Sequence, residues 1–272
     1  MLDPRIVRVG IEIDGVIKFY DDLFIEASGV KYSNSLQGEC NINITGLSRP
    51  NRDFILNAVS IFNKERTPKK VILEVGRVST GAKRIYVGDI YEATVTQPPE
   101  NTLRLKSKTG FYQKGSIISR SGSEVMSMKA IARNVAQDIG VALDFQATDR
   151  TISSYSFSGT ADQQVEALES LGGIDVFSDG TTLFVKDAGV PLNGYEVNVS
   201  AENGMIGVPE LNGAGIRLTM FVDKQAEIGA TLNVTSKQNT SLSGRYVIYR
   251  ISFNVSNRTE PFYYTLEASR FI

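Results

Sequence analysis

Apolar residues recur at every second position through most of this sequence, and that spacing commits the chain to strands more firmly than any other feature. Val7, Val9, Ile11 and Ile13 alternate with Arg8, Gly10 and Glu12, and Asp14-Gly15 then supplies a tight hairpin turn before "VIKFY". Extended segments follow around 24–32 and 36–47. The period changes to that of a helix in "SRPNRDFILNAVSIFN", where Phe54, Ile55, Ala58, Val59 and Phe62 form one stripe, Ser48 is placed to cap and Pro50 suits a first turn. After Thr67-Pro68 the alternation returns in Val71, Leu73 and Val75, in Ile85 and Val87, and in Leu103 and Leu105 beyond the Pro98-Pro99-Glu100-Asn101 turn. One helix among antiparallel strands predicts a small barrel or sandwich plugged by that helix.

Near Gly115 the character changes. Ser121 and Glu124 have capping-box spacing, and Val125, Met128, Ala132, Val135 and Ile139 form an apolar stripe that stops at Gly140. "VALDF" and "SYSFSG" read as strands; Thr160 and Gln163 repeat the capping spacing ahead of Val165, Leu168 and Leu171. A hairpin then turns at Asp179-Gly180. From about Tyr195 four strand-like runs, separated by glycine, serine and proline punctuation, predict an antiparallel meander. In its third run Val247, Tyr249, Ile251, Phe253 and Val255 form the expected core face. The expected architecture is a β-rich α+β fold: an N-terminal β domain with one helix over 1–115, a small α+β domain over 116–193 and a C-terminal β domain over 194–272. The two β regions share no convincing sequence repeat.

Composition narrows the chemistry. With no histidine in 272 residues, Ser-His-Asp and Cys-His catalysis and the helical zinc protease motif are excluded. Lys and Arg (29) nearly balance Asp and Glu (30), so no global field draws the chain to nucleic acid or anionic membranes. The single cysteine, Cys40, sits on the apolar side of an alternating run and reads as core; Met126 and Met128 read as core filling. Carboxylate-pair chemistry survives, but Glu12 with Asp14 and Asp21 with Asp22 read as solvated turn residues. The glycines of "ENGMIGVPELNGAGI" lack a phosphate-loop or dinucleotide pattern and read as turn residues. The Asn-x-Ser/Thr triplets at Asn43 and Asn233 read as polar strand residues. "MLDPRIVRVGIEIDG" does not resemble a signal peptide, and no run is long enough to cross a membrane, so a cytoplasmic chain without stable membrane insertion is expected.

The order of these segments resembles the trimeric baseplate hub proteins of contractile-tailed bacteriophages and related tail-like machines. The resemblance is carried by "YVGDIYEATVTQPPENTLRLKSKTG", "EVMSMKAIARNVAQDIGVALDF", "FSGTADQQVEALESLGGIDVFSDGTTLFVKD", "ENGMIGVPELNGAGIRLTMFVDKQAEIGATLNVTSKQN" and "SGRYVIYRISFNVS". It implies two tail-tube-like β domains per subunit and a homotrimeric ring of pseudo-sixfold symmetry. Such a ring joins a hexameric tail tube, or its initiator, to a threefold central spike, contacts baseplate wedge proteins, and lets DNA pass without binding it. These residues include no lysozyme-like or needle segment, so a separate spike protein is expected to pierce. The resemblance implies no catalytic, cofactor-binding or metal residues. A channel lined with Lys83, Arg84, Lys106 and Lys108 would run against it, because clustered cations bind phosphate. The competing readings are a carbohydrate- or small-molecule-binding β protein, weakened by the absence of Trp, and a carboxylate-dependent glycan hydrolase.

Overall fold

The computed structural model describes residues 3–13, 15–60, 62–63, 69–110, 117–121, 125–222 and 226–270. The N-terminal region contains β1 (Arg5–Ile13), β2 (Val16–Tyr20), β3 (Phe24–Tyr32), β4 (Glu39–Thr45), α1 (Arg49–Val59), β5 (Lys70–Arg77), β6 (Gly81–Val95) and β7 (Thr102–Lys108). Ile13 pairs with Val16 across the first turn, where Gly15 takes a φ of 77°; Asp14 lies outside the described residues. In α1, Pro50 stands in the first turn as expected, but Ser48 makes no side-chain cap. Ile55 and Val59 enter the core, whereas Phe62 lies beyond the helix and is 88% exposed, so the helical stripe ends one turn earlier than its sequence pattern.

The middle region contains β8 (Ile117–Ser121), β9 (Val125–Ser127), α2 (Met128–Asp138), β10 (Ala142–Phe145), β11 (Thr151–Ser153), β12 (Ser156–Thr160), α3 (Ala161–Glu169), β13 (Ile174–Ser178) and β14 (Thr182–Asp187). The predicted start of α2 is corrected. Ser121 ends β8, Glu124 lies outside the described residues, and Val125 belongs to β9; the cap is Ser127, whose hydroxyl accepts from the Ala130 N–H. The β9–β11 pairing holds residues 125–127 extended, so the helix cannot begin before Met128. The α3 start is as expected, with both hydrogen bonds of the Thr160–Gln163 capping box formed. Asp179 and Gly180 turn the β13–β14 hairpin, the Asp179 carboxylate accepting from the Thr181 and Thr182 N–H groups. This region has its own core, in which Met128, Ile131, Val135, Leu168, Val176, Leu183 and Val185 are buried, each apolar side chain contributing roughly 1.5–3 kcal/mol on burial. Arg120 of β8 forms an ion pair with Asp138 of α2, which also accepts from Gln164 of α3. The Arg120 guanidinium, helped by Gln164, holds the Asp138 carboxyl below its ordinary range against the opposing effect of burial.

The C-terminal region contains β15 (Glu196–Ser200), β16 (Met205–Asn212), β17 (Gly215–Phe221), β18 (Thr231–Thr235), β19 (Gly244–Ser256) and β20 (Phe262–Arg270). It is not the expected meander. β17 pairs with β20 rather than β18, β18 pairs with β19, and β15 runs parallel to β18. The core face of β19 is also corrected. A register shift between Ile248 and Arg250 places Tyr249 in a bulge, only partly buried; Val247 is in the core as expected, with Tyr246 and Ile248 buried beside it, and Ile251, Phe253 and Val255 are buried after the bulge.

The two β regions are joined edge to edge. β3 and β19 pair antiparallel from Glu26 with Ser256 to Tyr32 with Arg250, giving one sheet whose main path is β16-β17-β20-β19-β3-β4-β7-β6-β5-β1-β2. Asn257 fastens the end of this joint: its amide donates to the Leu23 carbonyl at 2.6 Å, and its side-chain oxygen accepts from the Ile25 N–H at 3.1 Å. Ile25, Ile42, Leu105, Ile251, Leu266 and Leu218 belong to one continuous core beneath the sheet. The fold is a β-rich α+β fold.

Candidate functional site

Side chains alternate across a strand, so each core residue of the central sheet sends its neighbours to the opposite face. β17 presents Arg217 and Thr219 there, β20 Thr265 and Glu267, β19 Arg250, Ser252 and Asn254, and β3 Glu26 and Ser28; β4 adds Glu39, Asn41 and Asn43, β7 Arg104, Lys106 and Lys108, and β6 Glu92 and Thr94. The result is a broad polar surface spanning both β regions and crossing the β3–β19 joint.

Three of its cations are matched locally. Lys106 meets Glu92 at 3.0 Å, Lys108 meets Glu39 at 2.7 Å, and Arg250 meets Glu267 at 3.1 Å, each pair on adjacent strands. The Lys108 ammonium donates a hydrogen bond to the Glu39 carboxylate, which raises the lysine pKa. Sequence separated these residues by up to 69 positions, so the pairing was invisible without the strand register. The four cations considered together in the sequence fall in different places: Lys106 and Lys108 lie on this face beside acids, while Lys83 and Arg84 line a cleft near β5.

That cleft, of about 510 Å³, lies where the middle region leans on the sheet. Phe177 and Phe184 stack at 5.2 Å between centroids on one side, and Tyr86 lies on the other. Its carboxylates are engaged: Glu74 with Arg8, Glu227 with Lys31, and Asp179 with its own turn. The packing is close, since a Cβ on Gly180 would come within 2.8 Å of the Val87 carbonyl oxygen. Among the described residues no cluster of His, Cys, Asp and Glu could hold a metal, and Cys40 is buried, its thiol pKa pushed up by loss of solvent. Asp21 and Asp22 are exposed beside β2, and Glu12 accepts from the Lys70 N–H at 3.4 Å. Among the described residues no helix is long and apolar enough to cross a membrane.

The fold is shared with solved tail proteins. The 43 kDa tail protein of prophage MuSo2 from Shewanella oneidensis matches over 97% of this chain and 98% of its own, with a TM-score of 0.63 at 10% identity. A tail protein from Neisseria meningitidis MC58 matches over 96% of both chains, with a TM-score of 0.65 at 10% identity. The Escherichia coli c3393 protein, a component of the type VI secretion system with structural similarity to the T4 tail proteins gp27 and gp5, matches over 96% of this chain and 77% of its own, with a TM-score of 0.63 at 10% identity. No curated protein matches the sequence. The family model for baseplate hub gp41 matches residues 6–268, nearly the whole chain, and the protein therefore belongs to this family of structural phage baseplate components.

Proposed function

We propose that three copies of this chain close into a ring at the centre of a phage baseplate, joining the hexameric tail tube to a threefold spike. The polar face of the central sheet lines the channel for DNA. The observation that carries this reading is the union of two β regions into one sheet with a largely polar face, on which Lys106, Lys108 and Arg250 are each paired with an acid. A wall of this kind offers phosphate few unpaired cations, so DNA passes without the counterion-release binding that exposed Lys and Arg clusters produce. In this reading the chain catalyses nothing. Its three units, 1–115, 116–193 and 194–272, are an N-terminal tube-like domain, a peripheral α+β domain and a second tube-like domain. The spike, the tail tube or its initiator, and wedge proteins are the partners, and assembly takes place in the host cytoplasm.

The test is the mass of the purified chain across a concentration series, by light scattering coupled to size exclusion. A species near three times 29.8 kDa is expected. A strict monomer at every concentration overturns self-assembly of the ring.

A further inference from the structure

Three Asn-Gly pairs occur in the chain, Asn193-Gly194, Asn203-Gly204 and Asn212-Gly213, all between β14 and β17. A glycine after asparagine leaves the next main-chain nitrogen unscreened by a Cβ and its backbone free to turn, so that this nitrogen can approach the asparagine side chain. The pairs differ in what holds the carboxamide. At Asn212 the side-chain oxygen accepts from the Ala214 N–H at 3.0 Å and the Gly215 N–H at 2.7 Å, and the nitrogen donates to the Tyr249 hydroxyl at 2.8 Å and the Ile216 carbonyl at 3.5 Å. At Asn203 the side-chain nitrogen donates to the Asn198 carbonyl at 2.9 Å. The Asn193 carboxamide makes no hydrogen bond among the described residues, and the residue is exposed.

The main chain on either side of this side chain is pinned. The Leu192 N–H donates to the Gly229 carbonyl at 2.8 Å, the Asn193 N–H to the Gln146 side-chain oxygen at 2.7 Å, and the Tyr195 carbonyl accepts from the Thr231 N–H at 2.9 Å. Gly194 is not pinned. Its N–H makes no hydrogen bond among the described residues, its φ is 84°, and open space surrounds the place of a Cβ.

We infer that Asn193 is a site of spontaneous deamidation, the first of the three to convert in the folded protein. The Gly194 nitrogen gives its proton to solvent base and attacks the Asn193 side-chain carbonyl carbon. The new C–N bond closes a succinimide, and the side-chain nitrogen leaves as ammonia. Water then opens the ring at either carbonyl, leaving aspartate or isoaspartate; one water is consumed and one ammonia released, with no change of oxidation state. Either product places a carboxylate beside Leu192 and Tyr195, which line the cleft. Isoaspartate also adds a methylene to the main chain between the anchors at Gly229 and Thr231. The connection between the middle and C-terminal regions thus carries a chemical timer, whose action does not depend on the ring.

The test follows the three pairs in one sample. Cleavage after glutamate puts them on separate peptides, because Glu196, Glu202 and Glu210 fall between them. Folded protein is held in mildly alkaline buffer and sampled over days; conversion is read from the mass gain of amide-to-acid exchange, and isoaspartate from its fragmentation. Asn193 is expected to convert roughly tenfold or more ahead of Asn212, whose hydrogen bonds must first break, with Asn203 between them. In urea the three rates should converge, and N193Q should remove the first acidic variant seen by anion exchange. Earlier conversion of Asn203 or Asn212, or a folded-state rate at Asn193 no greater than at Asn212, overturns the inference. So does an order that persists unchanged in urea, because local sequence and not the fold would then set it.

Discussion

Gly29 has no room for a side chain: a Cβ there would run into the Phe253 ring and the Glu39 carbonyl, at the middle of the joint between the two β regions. Gly29→Ala is expected to destabilise the protein by about 1–3 kcal/mol, the usual cost of overpacking, measured by urea denaturation. An unchanged midpoint would mean that the joint adjusts freely. On the polar face, Glu39 and Glu92 act against the charges of Lys108 and Lys106. The double variant E39Q/E92Q should lose about 1 kcal/mol of stability or less per pair, because the pairs are partly solvated. It should nevertheless gain DNA retardation at low salt that fades as salt rises. Native and variant proteins of equal mobility would show that these acids do not shield the face. Sequence alternation named Val247, Ile251, Phe253 and Val255 correctly as core, but it could not see that a bulged Tyr249 leaves the core and that Tyr246 and Ile248 are buried as well.

At the scale of elements, the middle region is tied by Asp138, which takes a charged partner from β8 and an amide from α3. Its folded pKa is lowered, so its contribution is fully present above the unfolded value of about 3.9 and is lost as pH falls through the depressed folded value. Hydrogen-exchange protection in 117–121 and 125–170, corrected for the intrinsic exchange rate, should therefore fall on acidification below about pH 4, and D138N should flatten that dependence. If D138N leaves the pH profile unchanged, another carboxylate governs the region. Helix identity was legible here from apolar spacing, and the α3 cap was legible because its box is purely local. The α2 start was not, since β9 takes Val125 through a pairing with β11 that no local pattern announces.

For the whole molecule, strand content and the succession of β, α+β and β segments were legible because each depends on period and turn residues. The strand order that the two β regions share, β3-β4-β7-β6-β5 and β16-β17-β20-β19-β18, was not. The equivalent strands share little beyond apolar spacing and an Ile-Tyr pair at the bulge, Ile90-Tyr91 and Ile248-Tyr249. What they conserve is register, which lies in contacts between distant segments. The β3–β19 joint has a further consequence during synthesis. Ser256 follows its partner Glu26 by 230 positions. At ribosomal speeds of about 5–20 residues per second, the edge of β3 waits roughly 10–50 s for its partner to be made. An unpaired edge of that duration is a target for aggregation and for chaperones, and the long separation favours slow final folding. The N-terminal unit must therefore persist on the ribosome half-joined until β19 has been made.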